Sequence, residues 1–297
     1  MRVVVIGQTG QVAQSLSERA SSHGAIVTLV GRPQIDLADP SGIGDVLAEI
    51  GGDIIVNAAA YTAVDQAESE GDLAEAINGI GAGAVAGAAA SLRIPMVQIS
   101  TDYVFDGQSP QPYQETDRPH PLGAYGRSKL LGEVAVASAT DDYAILRTAW
   151  IYSPFGKNFV KTMLRLAGDR DEIPVVADQV GAPTSALDIA DGILAVCRNL
   201  IDSPGRADLR GIFHMTAAGS GSWADLAAET FVLSQKWGGP HARVRPITTA
   251  DYPTPARRPA NARLDCTKIA AAHGVRLPPW KASLEPVIRR LVGRAEG

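Results

Sequence analysis

The chain has 297 residues, 45% of them apolar and 20% charged, with a net charge of −5. That balance supports a sizeable buried core and excludes a disordered chain or a protein that binds nucleic acid through a basic surface. The two cysteines, Cys197 and Cys266, lie far apart and form neither a Cys-x-x-Cys pair nor a disulfide framework.

A strand is expected at once, Arg2 to Ile6, and no basic and apolar leader is expected. No apolar run stands out as nearing the ~20 residues of a membrane span. A cytoplasmic protein without membrane contact is expected. Val3-Val4-Val5-Ile6 is a short continuous apolar run, the mark of a strand buried on both faces. A helix is expected from Gln11 to His23, a strand over Ile26–Val30, and a helix over Ser41–Ile50 starting at Asp39-Pro40. A strand over Asp53–Asn57, a long Ala-rich helix over Ala67–Leu92 and a strand over Pro95–Ile99 follow, the last ending at Ser100-Thr101. Residues 108–122 are Pro-rich and read as an ordered loop. A helix then carries Tyr125 to Ser138, and Tyr143–Arg147 is a strand. This alternation predicts an α/β fold with a doubly wound parallel sheet over residues 1–150. After Trp150 the rhythm loosens. Strands are expected at 173–177, 211–215 and 244–247, and helices at 186–200, 223–235 and 280–293. Residues 151–297 therefore read as a smaller, interleaved α/β lobe, mainly for substrate, part of which returns to the first domain.

Gly7-x-x-Gly10-x-x-Ala13 sits between the first strand and a helix. Glycines there permit a tight turn and let backbone approach a pyrophosphate, which the helix N-terminus attracts. A generic strand-to-helix turn has the same outline. The second strand ends Val30-Gly31-Arg32, with no carboxylate before Asp36. An acidic residue here favours NAD, whereas an arginine suits the 2′-phosphate of NADP. Arg32 is the candidate for that phosphate, or else a solvated surface residue. Asp36-Leu37 lies near the end of the next loop, a candidate place for reading an adenine edge.

Tyr125 and Lys129 are four apart and share a helix face. A phenol has a pKa near ~10, and an adjacent ammonium favours its phenolate. The spacing thus predicts a Tyr125 pKa lowered by Lys129. Thr101 adds a hydroxyl at the carboxyl edge of the sheet, where ligands of open α/β folds bind. Arg257 and Arg258 are adjacent in the Pro-rich loop 246–261 and suit either a diphosphate or internal salt bridges.

These residues together resemble the extended short-chain dehydrogenase/reductases, with a Rossmann-like fold. The blocks at 57–65, 100–107, 147–152, 178–184 and 252–259 narrow the likeness to the dTDP-4-dehydrorhamnose reductase family over nearly the whole chain. The resemblance implies reduction of a dTDP-linked 4-keto-L-rhamnose by NADPH, with NADH as a second donor. It implies that Tyr125 protonates the developing alkoxide, that Lys129 lowers the Tyr125 pKa and holds the nicotinamide ribose, and that Thr101 tunes the hydrogen bonds. It carries cofactor contacts to Gly10, Gln11, Val12, Asp36, Leu37, Ala60, Tyr61 and Thr62. Substrate contacts carry to Thr101, Asp102 and Trp150, the last as an aromatic plane for a sugar ring or as a core residue. Some relatives bind Mg²⁺ at a dimer contact through glutamates, where this chain has Ser15 and Leu187. Neither replaces a carboxylate for a hard cation, so no metal site and a monomer or weak homodimer are expected. Two other readings remain: a nucleotide-sugar epimerase of the same superfamily, and a non-catalytic regulatory subunit on the reductase fold.

Overall fold

The computed structural model describes residues 1–293. Strands β1 (Arg2–Ile6), β2 (Ile26–Val30), β3 (Ile54–Asn57), β4 (Met96–Thr101) and β5 (Tyr143–Thr148) belong to one sheet. Helices α1 (Gln11–Arg19), α2 (Ile43–Ile50), α3 (Gly71–Leu92) and α4 (Ala124–Ala139) connect them. The two-residue side-chain period of a strand divides the apolar run of β1 between two cores. Val3 and Val5 pack toward α1 and a later helix, whereas Val4 and Ile6 pack toward α2 and α3. Every residue of β3 and β4 is buried, which explains their lack of polar alternation.

The second half adds α5 (Phe159–Leu166), β6 (Glu172–Val176), α6 (Ala186–Asp202), β7 (Gly211–His214), α7 (Trp223–Lys236), β8 (Arg243–Ile247), α8 (Thr267–His273) and α9 (Trp280–Val292). The main sheet is parallel, in the order β7-β5-β4-β3-β1-β2. Its strand order reverses beside β1, and the carboxyl ends of β1, β3 and β4 open a crevice there. Helix α6 packs on α1, so this part of the second half covers the first. A separate core of Tyr152, Val160, Leu226, Leu284 and Ile288 holds α5, α7 and α9 together, and β6 pairs with β8 beside them.

Three expectations change. The first helix ends at Arg19 and passes into a 3₁₀ turn at Ser21–His23, because Gly24 takes a left-handed conformation. The long helix is interrupted. A 3₁₀ turn spans Gln66–Glu68, and α3 then runs from Gly71 with a π segment at Ala76–Gly81. Finally, α3 is 22 residues long and apolar enough by length and composition to cross a membrane, contrary to the absence of such a run expected above. Half of its apolar stretch is buried inside the fold, where it packs on α2 and α4.

Candidate active site

One cavity of about 1020 Å³ runs from the glycine loop to Trp150 and Trp223. At one end, Gly7 has φ of 128°, which only glycine adopts without strain. The start of α1 has no side-chain cap, and a Cβ on Gly10 would meet nothing within 4 Å. Unclaimed helix N–H groups thus face an open cradle, which fits a pyrophosphate. Gln11, Val12, Arg32, Asp36, Leu37, Ala60 and Thr62 line the same cavity. Arg32 is exposed and makes no ion pair among the described residues. Tyr61 is not on the lining. Its hydroxyl donates to Glu70 at 2.6 Å and its backbone N–H to Asn78 at 2.8 Å. Asn78 stands in the π segment, and its amide also donates to the Tyr61 carbonyl and to Ser128 on α4. That turn therefore ties the 60–62 loop to the tyrosine helix.

At the centre, Thr101 ends β4. It accepts from the Tyr103 N–H at 3.2 Å and donates to Asp102 Oδ1 at 3.0 Å. A Cβ on Gly126 would lie 2.2 Å from the Tyr103 carbonyl, so only glycine lets α4 press against this turn. The Tyr125 ring then meets Tyr103 edge-on, with centroids 5.4 Å apart. Lys129 is 4% exposed, and its Nζ donates to the Ile99 carbonyl at 2.7 Å. An ammonium has three donors, so two remain for a ligand.

The electrostatics correct the expectation from spacing. Burial pushes the Tyr125 phenol up to about 12, the Thr101 hydroxyl opposes this, and the Asp102 charge adds to it. Lys129 donates to the Ile99 carbonyl, and burial pulls its own ammonium down to about 8. Shared helix face sets proximity, but the hydrogen bond that Lys129 makes runs to β4. Burial also raises the Asp102 carboxyl to about 7, and its Oδ2 has no hydrogen-bond partner among the described residues.

At the far end, Trp150 stacks on Trp223 with centroids 3.7 Å apart and planes 8° from parallel. Trp150 has φ of 49°, unusual for a bulky residue and typical of functional positions. Trp223, Lys157 and Thr148 line the cavity and are not evident from local sequence. Arg257 and Arg258 do not line it. Arg258 pairs instead with Asp65, Nη2 to Oδ2 at 2.8 Å, so its guanidinium already has an internal carboxylate. Ser15 is buried and donates to the Gln11 carbonyl, and Leu187 packs in the second core. Among the described residues, no group of three His, Cys, Asp or Glu side chains has metal-binding geometry.

A glycine cradle that shares one cavity with Thr101, Tyr125 and Lys129, on a parallel sheet with helices on both faces, matches the Rossmann-like fold of the extended short-chain dehydrogenase/reductases. The chain belongs to the family described as RmlD substrate binding domain, whose model matches residues 1–292. It is 51% identical over 292 residues to a dTDP-4-dehydrorhamnose reductase of Sinorhizobium fredii, covering 98% of this chain and 97% of that one. A dTDP-4-dehydrorhamnose reductase of Clostridium acetobutylicum superposes with a TM-score of 0.90 at 37% identity, covering 98% and 99% of the two chains. The Bacillus anthracis enzyme, solved in complex with NADP, gives a TM-score of 0.90 at 36% identity, covering 97% and 99%.

Proposed function

We propose that this protein is an NADPH-dependent oxidoreductase that reduces dTDP-4-dehydro-L-rhamnose to dTDP-L-rhamnose. The observation that carries the reading is the single cavity joining the glycine cradle to Thr101, Tyr125 and Lys129. Bound NADPH supplies the hydride. Gly10, Gln11 and Val12 would hold its pyrophosphate, and Ala60, Thr62 and Leu37 would border its adenosine half. The two spare donors of Lys129 would hold the nicotinamide ribose. Tyr125, protonated at neutral pH, delivers its proton to the oxygen that becomes the new hydroxyl. Thr101 and Asp102 orient that oxygen, and the Trp150 plane with Trp223 behind it carries the sugar face. In this reading residues 1–150 bind the dinucleotide and residues 151–297 mainly the nucleotide sugar. The near-full-length relatives with this activity favour reduction over epimerisation or a regulatory role. The test is consumption of NADPH in one-to-one stoichiometry with the keto-sugar. Catalytic cycling without net NADPH oxidation would identify an epimerase instead. The two reduced cysteines and the cofactor chemistry suit the cytoplasm.

Arg32 reads the 2′-phosphate in this proposal, with Asp36 close behind it. Arg32→Ala should weaken NADPH by about 1.5–3 kcal/mol and NADH far less, as for a lost charged hydrogen bond. Fluorescence titration of both cofactors checks this. Equal losses would assign Arg32 to the surface.

Mg²⁺ has no part in the proposed chemistry, because the nascent alkoxide is neutralised by Tyr125. A monomer or weak homodimer without bridging metal is the proposed state. EDTA should leave both chromatographic mass and NADPH oxidation unchanged. Activity lost on chelation and restored by Mg²⁺ would reveal a carboxylate site.

A further inference from the structure

We propose that Glu133 is a positioning residue of this site: clamped by Arg147 and Ser100, it is the buried countercharge that keeps Lys129 an ammonium. The inference rests on the reductase reading. Glu133 follows Lys129 by one turn of α4, on the same face. Both are almost wholly buried, Glu133 with 3% and Lys129 with 4% exposure. Lys129 has no carboxylate within ion-pair distance among the described residues, only the Ile99 carbonyl. A buried ammonium so placed needs a nearby negative charge to stay protonated.

The clamp fixes where that charge sits. Arg147 Nε donates to Glu133 Oε1 at 2.8 Å, and Nη2 donates to Oε2 at 2.6 Å. Ser100 Oγ donates to Oε1 at 2.6 Å, which ties the carboxylate to the residue before Thr101. Arg147 is braced in turn. Its Nη1 lies 3.4 Å from His214 Nε2, and its guanidinium lies over the Phe105 ring at 5.0 Å. His214 Nδ1 donates to the Tyr113 carbonyl at 3.0 Å, so Nε2 is the acceptor of a neutral ring. Burial and the Arg147 charge hold His214 at about 3, which keeps a second cation out of the network.

Other charged or titratable groups surround α4. Asp102 and Tyr103 come from the turn after β4, Arg147 and Tyr143 from β5, His214 from β7, and Glu68 from the turn at 66–68, whose carboxylate accepts from the Ala124 N–H. Tyr125 lies on the helix itself. Burial disfavours the charged form of Lys129, and the Glu133 carboxylate one turn along the helix favours it.

The experiment uses the full chain and two variants. Glu133→Gln alone leaves Arg147 buried without a partner and risks the fold. Glu133→Gln/Arg147→Met removes both charges together and preserves bulk. Side-chain NMR titration of the lysines, with Lys129→Met for assignment, reads the Lys129 midpoint without any turnover. The rate of NADPH oxidation with dTDP-4-dehydrorhamnose, measured across the alkaline range, reads its consequence. In the double variant the Lys129 midpoint and the alkaline limb should both fall by about one pH unit, a tenfold lower rate on that limb. A pH-independent loss of amplitude with an unmoved midpoint would overturn the inference and leave Glu133 a structural ion pair. Wild-type protein that fails to oxidise NADPH with the sugar would overturn the reductase reading instead, while the lysine midpoint still decides the role of Glu133.

Discussion

Replacing Tyr125 by phenylalanine is expected to lower turnover by about 10²–10⁴-fold, the usual contribution of a positioned general acid. The substitution removes one oxygen and keeps the ring. The edge-on contact with Tyr103 and the close seating of Gly126 on the Tyr103 carbonyl remain, so the helix stays in place. NADPH affinity should therefore change little, since the cradle at Gly10 and the two spare Lys129 donors are untouched. The remaining proton carriers of the cavity, Asp102 at about 7 and Lys129 at about 8, are engaged with the Thr101 hydroxyl and the Ile99 carbonyl, so they replace the phenol only in part. The high pKa of Tyr125, about 12, favours the reductive direction, because the resting phenol is fully protonated at neutral pH. Alkaline loss of activity is then expected to follow Lys129, whose ammonium is pulled down to about 8 by burial. Single-turnover oxidation of bound NADPH measures the chemical step directly. Wild-type rates in Tyr125→Phe would assign the proton to another group.

The frame of this site is legible in the residues themselves. Apolar runs such as 3–6 and 54–56 are too short for helices and read as strands covered on both sides, and the helices between them point to a parallel sheet. Such a sheet opens at its carboxyl edge, which is where Gly7–Gly10 and Ser100–Thr101 fall. What escapes the sequence is contact between distant segments and the direction of side chains. Trp223 reaches Trp150 only because α7 folds back from the second lobe. Arg258 is spoken for by Asp65, 193 residues earlier, so adjacency to Arg257 says little about its partner. The π segment around Asn78 hides in an Ala-rich stretch that reads as plain helix. The pKa of Tyr125 depends on burial and on where Nζ points, and neither is encoded in a four-residue spacing. Ser100, Glu133 and Arg147 look like three unrelated polar residues until β4, α4 and β5 are packed together.

Asp102→Asn should make the protein more stable and a poorer enzyme. Asp102 is 2% exposed, and its Oδ2 is buried without a partner, so ionisation there is opposed by burial. Its carboxyl sits at about 7, against 3.8 for the ordinary group. The sign follows from proton counting. Below pH ~4 the group is protonated in folded and unfolded chains alike and contributes nothing. Between about 4 and 7 the unfolded chain releases its proton while the folded chain retains it, so stability falls as pH rises. Above about 7 the full penalty applies, on the order of 4 kcal/mol. Asparagine carries no such charge and keeps an oxygen for the Thr101 hydroxyl. The variant should therefore melt about 5 °C higher than wild type at pH 8.5, with the gain vanishing near pH 4. Turnover should fall, because a carboxylate acceptor facing the substrate becomes an amide. A gain in melting temperature that is the same at both pH values would show that packing, not charge, separates the two proteins. A destabilised variant would mean that Asp102 has a partner when folded, and that its orphaned oxygen is not held ready for a sugar hydroxyl.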